Sequence, residues 1–320
     1  MTTLKSNRTE PLSQGRCFGY SQCGAMDSPE VLLCLPGLLE TRESFAPLLK
    51  AADEISGLRV VSLDYCGRGD SDPLTNDSGY CMSLYLADTL EFVQREIYRK
   101  DLPRPRLQVL GTSMGGILGM YLAAQEDAAV RGLFLNDIAL GLTWMSIYGL
   151  YDGMKRAGRT PSTQQIAVQL GVTEGAVRDV QSSHHFDLAH HKDWTGMQFG
   201  HMLQRFKGAV RLVYGSESGV CLPQQVQELQ QVFPKARLLR VEGAAHPVAF
   251  TQEVCAFILD GFYRVPASPP TVALPVFEAS TQIQVVEEAQ VVEEAQVVEE
   301  VPKKRPSWWS RLLWQVATKK

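Results

Sequence analysis

The chain has 320 residues, 45% of them apolar and 21% charged, enough for one main domain with a full core and additional segments. Its formal net charge of -4 supplies no overall basic field of the kind that holds nucleic acid. Seven cysteines, scattered mostly through apolar runs without metal-type spacing, read as free thiols of a reducing compartment. The polar start MTTLKSNRTEPLSQG has no apolar core of a signal peptide, and no apolar run approaches the ~20 residues of a membrane span, so a cytoplasmic location is expected.

Residues 1–15 are expected to be flexible. From residue 16 to about 262, short β-branched or Leu-rich runs alternate with amphipathic stretches, the pattern of a mostly parallel sheet with helices on both faces. Strands are predicted at 31–37, 58–64, 107–111, 130–137, 210–215 and 236–243, several of them apolar on both faces as central parallel strands are. Helices are predicted near 43–52, 82–99, 114–125, 223–233 and 248–262. The rhythm breaks at 138–207, where helical segments and loops without a convincing strand read as a cap inserted between two halves of a core, 16–137 and 208–264.

Beyond the core, 265–306 begins Pro-rich and continues with the hexads QVVEEA, QVVEEA and QVVEEV, whose six-residue period fits neither helix nor strand and reads as a disordered acidic spacer. Residues 307–320 close the chain with a basic, Trp-rich segment. Between residues 302 and 320 there are six basic residues, three tryptophans and no acid, a moderate amphipathic signal. Peripheral attachment of 302–320 to an anionic membrane or an apolar inclusion is one expectation; a solvated tail, or one folded back on the six hexad glutamates, is the other.

The strongest chemical signal is VLGTSMGGILGMYLAA, in which Gly111-Thr112-Ser113-Met114-Gly115 fits G-x-S-x-G between a predicted strand and a predicted helix. With this motif stand LPGLLETRESF (35–45), DYCGRGDSD (64–72) and VEGAAHPVAF (241–250). On these residues the stretch 16–262 resembles the α/β-hydrolase fold family, with Pro36 where many members carry His and Ala245 in place of a Gly. The resemblance implies an α/β fold with a helical cap, Ser113 as nucleophile, His246 as general base, and the backbone N–H groups of Leu38 and Met114 as oxyanion donors. A serine nucleophile favours hydrolysis of a carboxylic ester or thioester without a cofactor.

The acid is the open member of the set. In relatives a carboxylate follows the strand that here ends at Gly215, but the corresponding positions are Ser218 and Gly219. Asp137, after the preceding strand, is the expected acid; Glu217, one residue early in the loop, and no functional acid are the alternatives. The last would leave a catalytically impaired pseudo-hydrolase that binds a ligand or partner, or a scaffold tethered to a surface by its tail.

Two further patterns compete. Residues 162–181 have the spacing of a helix-turn-helix, yet they lie within the cap and mix Arg178 with Glu174 and Asp179, so two packed cap helices are expected and DNA binding is not. The histidines at 184, 185, 190 and 191, with Asp187 and Asp193, allow a metal site. A cap loop touching substrate or solvent is the plainer reading, and His185-Phe186-Asp187 resembles a triplet carried by related hydrolases.

Overall fold

A computed structural model describes residues 5–262, apart from 127, 150–161, 183, 189–190 and 193–194. The expectations for residues 265–320, the acidic hexads and the Trp-rich tail included, lie outside the described residues.

Eight strands form the central sheet: β1 (Lys5–Arg8), β2 (Gly19–Cys23), β3 (Glu30–Leu35), β4 (Leu58–Leu63), β5 (Arg106–Thr112), β6 (Val130–Asn136), β10 (Ala209–Gly215) and β11 (Arg237–Val241). Their order across the sheet is β1-β2-β4-β3-β5-β6-β10-β11, antiparallel at the β1-β2-β4 edge and parallel from β4 onward. Alternation along each strand feeds two apolar layers. In β3, Val31, Leu33 and Leu35 face one layer, and Leu32 and Cys34 face the other. The first layer is covered by α2 (Met82–Phe92) and α3 (Met114–Ala124). The second is covered by α1 (Ala46–Ala52) and the last helix, α7 (Gln252–Leu259), through Leu48, Leu49, Val254, Ile258 and Leu259.

The inserted region differs from the strandless cap expected of it. Besides α4 (Thr163–Leu170) and α5 (Glu174–Asp179), it contains a three-stranded antiparallel sheet of β7 (Gly141–Thr143), β9 (Gly196–Gln198) and β8 (His191–Lys192). Strands of two and three residues are too short to show a period-2 pattern, so sequence alternation cannot report them.

Near the N-terminus, residues 5–8 form the edge strand β1, an element the sequence does not mark. KSNR has no apolar residue to mark a buried face. It is held by ladder pairing to β2 and by Arg8, whose guanidinium donates to Asp70 O and to Asp72 Oδ1, each at 2.6 Å.

The helix-turn-helix pattern is two helices packed on the loop after β4. Gly171 (φ 67°) ends α4 in the left-handed conformation, and its carbonyl accepts from Gly69 N–H at 2.7 Å. Asp77 Oδ2 accepts from Gly175 N–H at 2.8 Å, and Asp179 Oδ2 accepts from Gly79 and Tyr80 N–H at 2.6 and 2.8 Å. The helix that would have to enter a DNA groove is therefore pinned to the core.

The remaining helix of the core, α6 (Pro223–Val232), follows β10 and is tied to the insertion by Gln225 Nε2 donating to Gly141 O at 2.7 Å.

Candidate active site

Ser113 occupies the turn between β5 and α3 with φ 50° and ψ -115°, a strained left-handed position for a residue with a Cβ. Two close approaches hold it there. A Cβ on Gly111 would meet Gly115 O at 2.2 Å, and one on Gly115 would meet Leu35 O at 2.0 Å, so strand and helix touch only because both positions are glycine. Ser113 N–H donates to Asn136 O at 3.0 Å, tying the turn to the neighbouring strand.

His246 follows β11 and is 5% exposed, with both ring nitrogens engaged. Its Nε2 lies 2.8 Å from Ser113 Oγ and its Nδ1 lies 2.7 Å from Asp137 Oδ2. Asp137 is fully enclosed, with φ 58°, and its Oδ1 accepts from Gly215 N–H at 2.9 Å. Its Oδ2 accepts from Ser218 O–H at 2.8 Å. A carboxylate surrounded by donors is acceptor-only, so Nδ1 carries the ring hydrogen and Nε2 presents its lone pair to the Ser113 hydroxyl.

The structure thus brings Ser113, His246 and Asp137 into one hydrogen-bonded chain. Glu217 is exposed at the start of the loop after β10, with its backbone N–H donating to Ala244 O at 2.9 Å, while the nitrogen it would have to meet is bonded to Asp137.

Leu38 and Met114 line a narrow apolar pocket together with Ser113. Ile117 and Ile138 extend its wall from the core, Leu142, Ile147 and Phe186 come from the insertion, and Val220 from the loop after β10. Met114 is the first residue of α3, so its N–H has no acceptor within the helix and points toward the positive end of the helix dipole.

Beneath the Leu38 loop lies a polar anchor that sequence reasoning missed. Glu40 Oε2 accepts from Gly37 N–H at 2.8 Å, while Arg68 Nη1 donates to Gly37 O at 2.8 Å and Glu40 O at 3.2 Å. Desolvation raises the Glu40 carboxyl above its ordinary range, partly offset by the Gly37 N–H bond and by the charges of His246 and Arg68. The guanidinium of Arg68 is 1% exposed and lies 5.1 and 4.9 Å from the Tyr65 and Tyr85 ring centres. The Arg-Gly-Asp of the turn after β4 therefore faces inward through its arginine. Beside it, Asp64 accepts from Arg42 N–H at 2.7 Å and Asp70 N–H at 3.1 Å, which fixes the turn.

His185 is 1% exposed beside the pocket, with Nδ1 3.0 Å from Tyr80 O and Nε2 3.4 Å from Met114 Sδ. Burial lowers its pKa to about 4, so it is neutral and packs against Met114. Asp187 accepts from Ser83 N–H at 2.9 Å and from Ser83 O–H at 2.5 Å at the start of α2. Among the described residues no three His, Cys, Asp or Glu side chains gather as a metal site. His190 and Asp193 lie outside the described residues. Among the described residues, too, no helix is long and apolar enough to cross a membrane.

The comparisons with known proteins agree with this architecture. Residues 30–167 match the model of the alpha/beta hydrolase fold family. A crystal structure of an alpha/beta hydrolase from Novosphingobium aromaticivorans superposes with a TM-score of 0.62 at 19% identity, covering 83% of this chain and all of that one. The chain has the α/β-hydrolase fold.

Among curated relatives, the 3-hydroxybutyrate-oligomer hydrolase of Cupriavidus necator is 35% identical over 139 residues, 43% of this chain and 45% of that protein. The match thus spans less than half of that relative's length. The sn-1-specific diacylglycerol lipase ABHD11 of Mus musculus is 27% identical over 257 residues, 71% of this chain and 80% of the relative.

Proposed function

We propose that the protein is a serine hydrolase that cleaves an apolar carboxylic ester or thioester through an acyl-enzyme intermediate on Ser113. The observation that carries this reading is the continuous chain from Ser113 Oγ through His246 to Asp137 at 2.8 and 2.7 Å, opening onto an apolar pocket. Ser113 Oγ attacks the carbonyl carbon while His246 Nε2 takes its proton, and the oxygen that becomes negative is held by the N–H groups of Leu38 and Met114. Protonated His246 then gives that proton to the departing alcohol or thiol. In the second half a water loses its proton to His246 and attacks the acyl carbon; the Ser113 Oγ–acyl bond then breaks, Oγ takes that proton back from His246 Nε2, and the carboxylic acid leaves.

Asp137 holds the imidazole in the tautomer with hydrogen on Nδ1 and stabilises its positive charge during both halves. The pseudo-hydrolase alternative drew on an unfilled acid position, and a carboxylate bonded to the ring removes that ground.

The pocket wall of Leu38, Met114, Ile117, Ile138, Leu142, Ile147, Phe186 and Val220 offers no charged side chain, which supports a neutral, apolar acyl group. The relatives named as an oligomer hydrolase and a diacylglycerol lipase support ester cleavage in the same direction. The test is labelling of Ser113 by a fluorophosphonate, together with hydrolysis of nitrophenyl butyrate. Loss of both in Ser113→Ala is the expected result, and hydrolysis that survives in Ser113→Ala refutes the reading.

A further inference from the structure

The loop after β10 has Ser218 and Gly219 where the family resemblance leads one to expect a carboxylate, yet the Ser218 side chain is directed at Asp137. Ser218 Oγ lies 2.8 Å from Asp137 Oδ2, the same oxygen that receives His246 Nδ1 at 2.7 Å. The serine oxygen is itself an acceptor for Val220 N–H at 3.1 Å and Cys221 N–H at 3.0 Å. Two amide donors occupy its lone pairs, so the hydroxyl hydrogen has one direction left, toward Asp137.

The loop is clamped in turn. Ser218 N–H closes a turn on Gly215 O at 3.2 Å, and Ser146 of the insertion donates to Gly219 O at 2.9 Å. Asp137, with no exposure to water, thus receives donors from the loop on both oxygens, Gly215 N–H on one and Ser218 O–H on the other.

We propose that Ser218 is a positioning residue for the Asp137–His246 pair: its fixed hydroxyl holds Oδ2 where His246 Nδ1 can donate to it. The side chain that stands in the relatives' acid position serves here as a donor to an acid supplied by β6. The inference rests on the hydrolase reading above.

A hydroxyl donated to a buried carboxylate is a charge-assisted bond, so its loss costs roughly tenfold to a hundredfold in turnover. Ser218→Ala is expected to lose that much kcat on nitrophenyl butyrate with KM held within about threefold, because the hydroxyl touches the acid and not the substrate. Ser218→Thr, which keeps the hydroxyl, is expected to recover most of the turnover. A merely structural role would instead lower soluble yield and Tm without this split between kcat and KM.

Should Ser218→Ala yield no folded protein, a relocation variant carries the test. Asp137→Gly is tolerated by the positive φ of that position and vacates the space, and Ser218→Asp then offers a carboxylate from the loop. The double variant is expected to exceed Asp137→Gly alone by about tenfold or more, as a fraction of the large loss that removing a triad acid causes.

Turnover of Ser218→Ala within about threefold of the parent overturns the proposal, since a charge-assisted bond is worth more than that. So does a Ser218→Thr variant as slow as the alanine, or a double variant no faster than Asp137→Gly. If the parent neither hydrolyses the ester nor labels at Ser113, the hydrolase reading itself fails and this inference falls with it. Full parent activity with an unaffected Ser218→Ala removes this inference alone.

Discussion

Replacing Asp137 by Asn tests the site most sharply, because the backbone has every reason to accept it. The residue sits at φ 58°, a conformation in which Asn is among the few tolerated side chains, and the two side chains are nearly isosteric. What changes is the polarity of one terminal atom. In the parent, both terminal oxygens accept: Oδ1 from Gly215 N–H, Oδ2 from Ser218 O–H and His246 Nδ1–H.

An amide presents one acceptor and one donor group to the same three donors. If the NH₂ faces Gly215, two N–H groups confront each other inside a buried site. If it faces His246, Nδ1 must become the acceptor, the ring hydrogen moves to Nε2, and no lone pair remains to take the Ser113 proton. The second arrangement is the less strained, because the donor it leaves opposed is the rotatable Ser218 hydroxyl and not a backbone N–H, and it is the unreactive tautomer. The same exchange in a serine protease triad lowers turnover about 10⁴-fold, a barrier increase of about 5 kcal/mol.

The assay is kcat on nitrophenyl butyrate, with Ser113→Ala and Glu217→Gln measured in parallel and Tm recorded for each. Asp137→Asn is expected to fold and to lose about three to four orders of magnitude in kcat, while exposed Glu217→Gln stays within about twofold. Retention of a tenth or more of parental kcat by Asp137→Asn, alongside a collapse in Glu217→Gln, refutes the assignment and moves the acid to position 217.

Three other outcomes are expected. His185 is buried with its pKa lowered to about 4 against an unfolded value near 6.5, so between those values the unfolded chain binds a proton that the folded protein refuses. Stability therefore falls as pH drops from about 6.5 to 4, by roughly 3 kcal/mol from this group. Urea unfolding of His185→Asn at several pH values should show a shallower slope in that window, and an unchanged slope contradicts it. Gly115→Ala places a Cβ 2.0 Å from Leu35 O and 2.5 Å from Pro36 O, backbone atoms that cannot rotate away. A loss of about 3 kcal/mol or more, read as a fall in Tm or in soluble yield, is expected from such overpacking, and a Tm within a degree of the parent would show that the strand and helix can separate there. Ile147→Ala removes three carbons from the pocket wall and should raise the octanoate-to-butyrate ratio of kcat/KM by roughly tenfold, while an unchanged ratio would place the acyl chain elsewhere.

The parts of the fold that sequence reading reaches are those encoded locally. The six predicted strands and the strand-glycine-serine-helix turn at 111–115 depend on residues adjacent in the chain, and their apolar runs mark them. β1 escapes because KSNR is polar throughout, and the β7-β9-β8 sheet because its strands are shorter than any detectable period. Sequence favours Asp137 but leaves Glu217 and no acid open, because the contact of Asp137 with His246 joins residues 109 apart and depends on where two strands end in the sheet. Ser218 and the Glu40–Arg68 anchor were harder still. In sequence, the serine is only the lack of a carboxylate, and the arginine is one letter of an RGD; their contacts, not their types, give them meaning.

The register of β5 and β6 has a bearing on how the chain can be divided. Thr112 pairs with Asn136, and the very next residues are Ser113 and Asp137. The proposed nucleophile, acid and oxyanion residues therefore lie within the first 137 positions, and the proposed base, His246, comes from the far side of the insertion. A break placed inside 138–208 would yield one polypeptide holding every proposed catalytic group but one and a second contributing His246 together with Ser218. Neither half would have a base and a nucleophile together, so hydrolysis would report the joining of the two halves with no background from either.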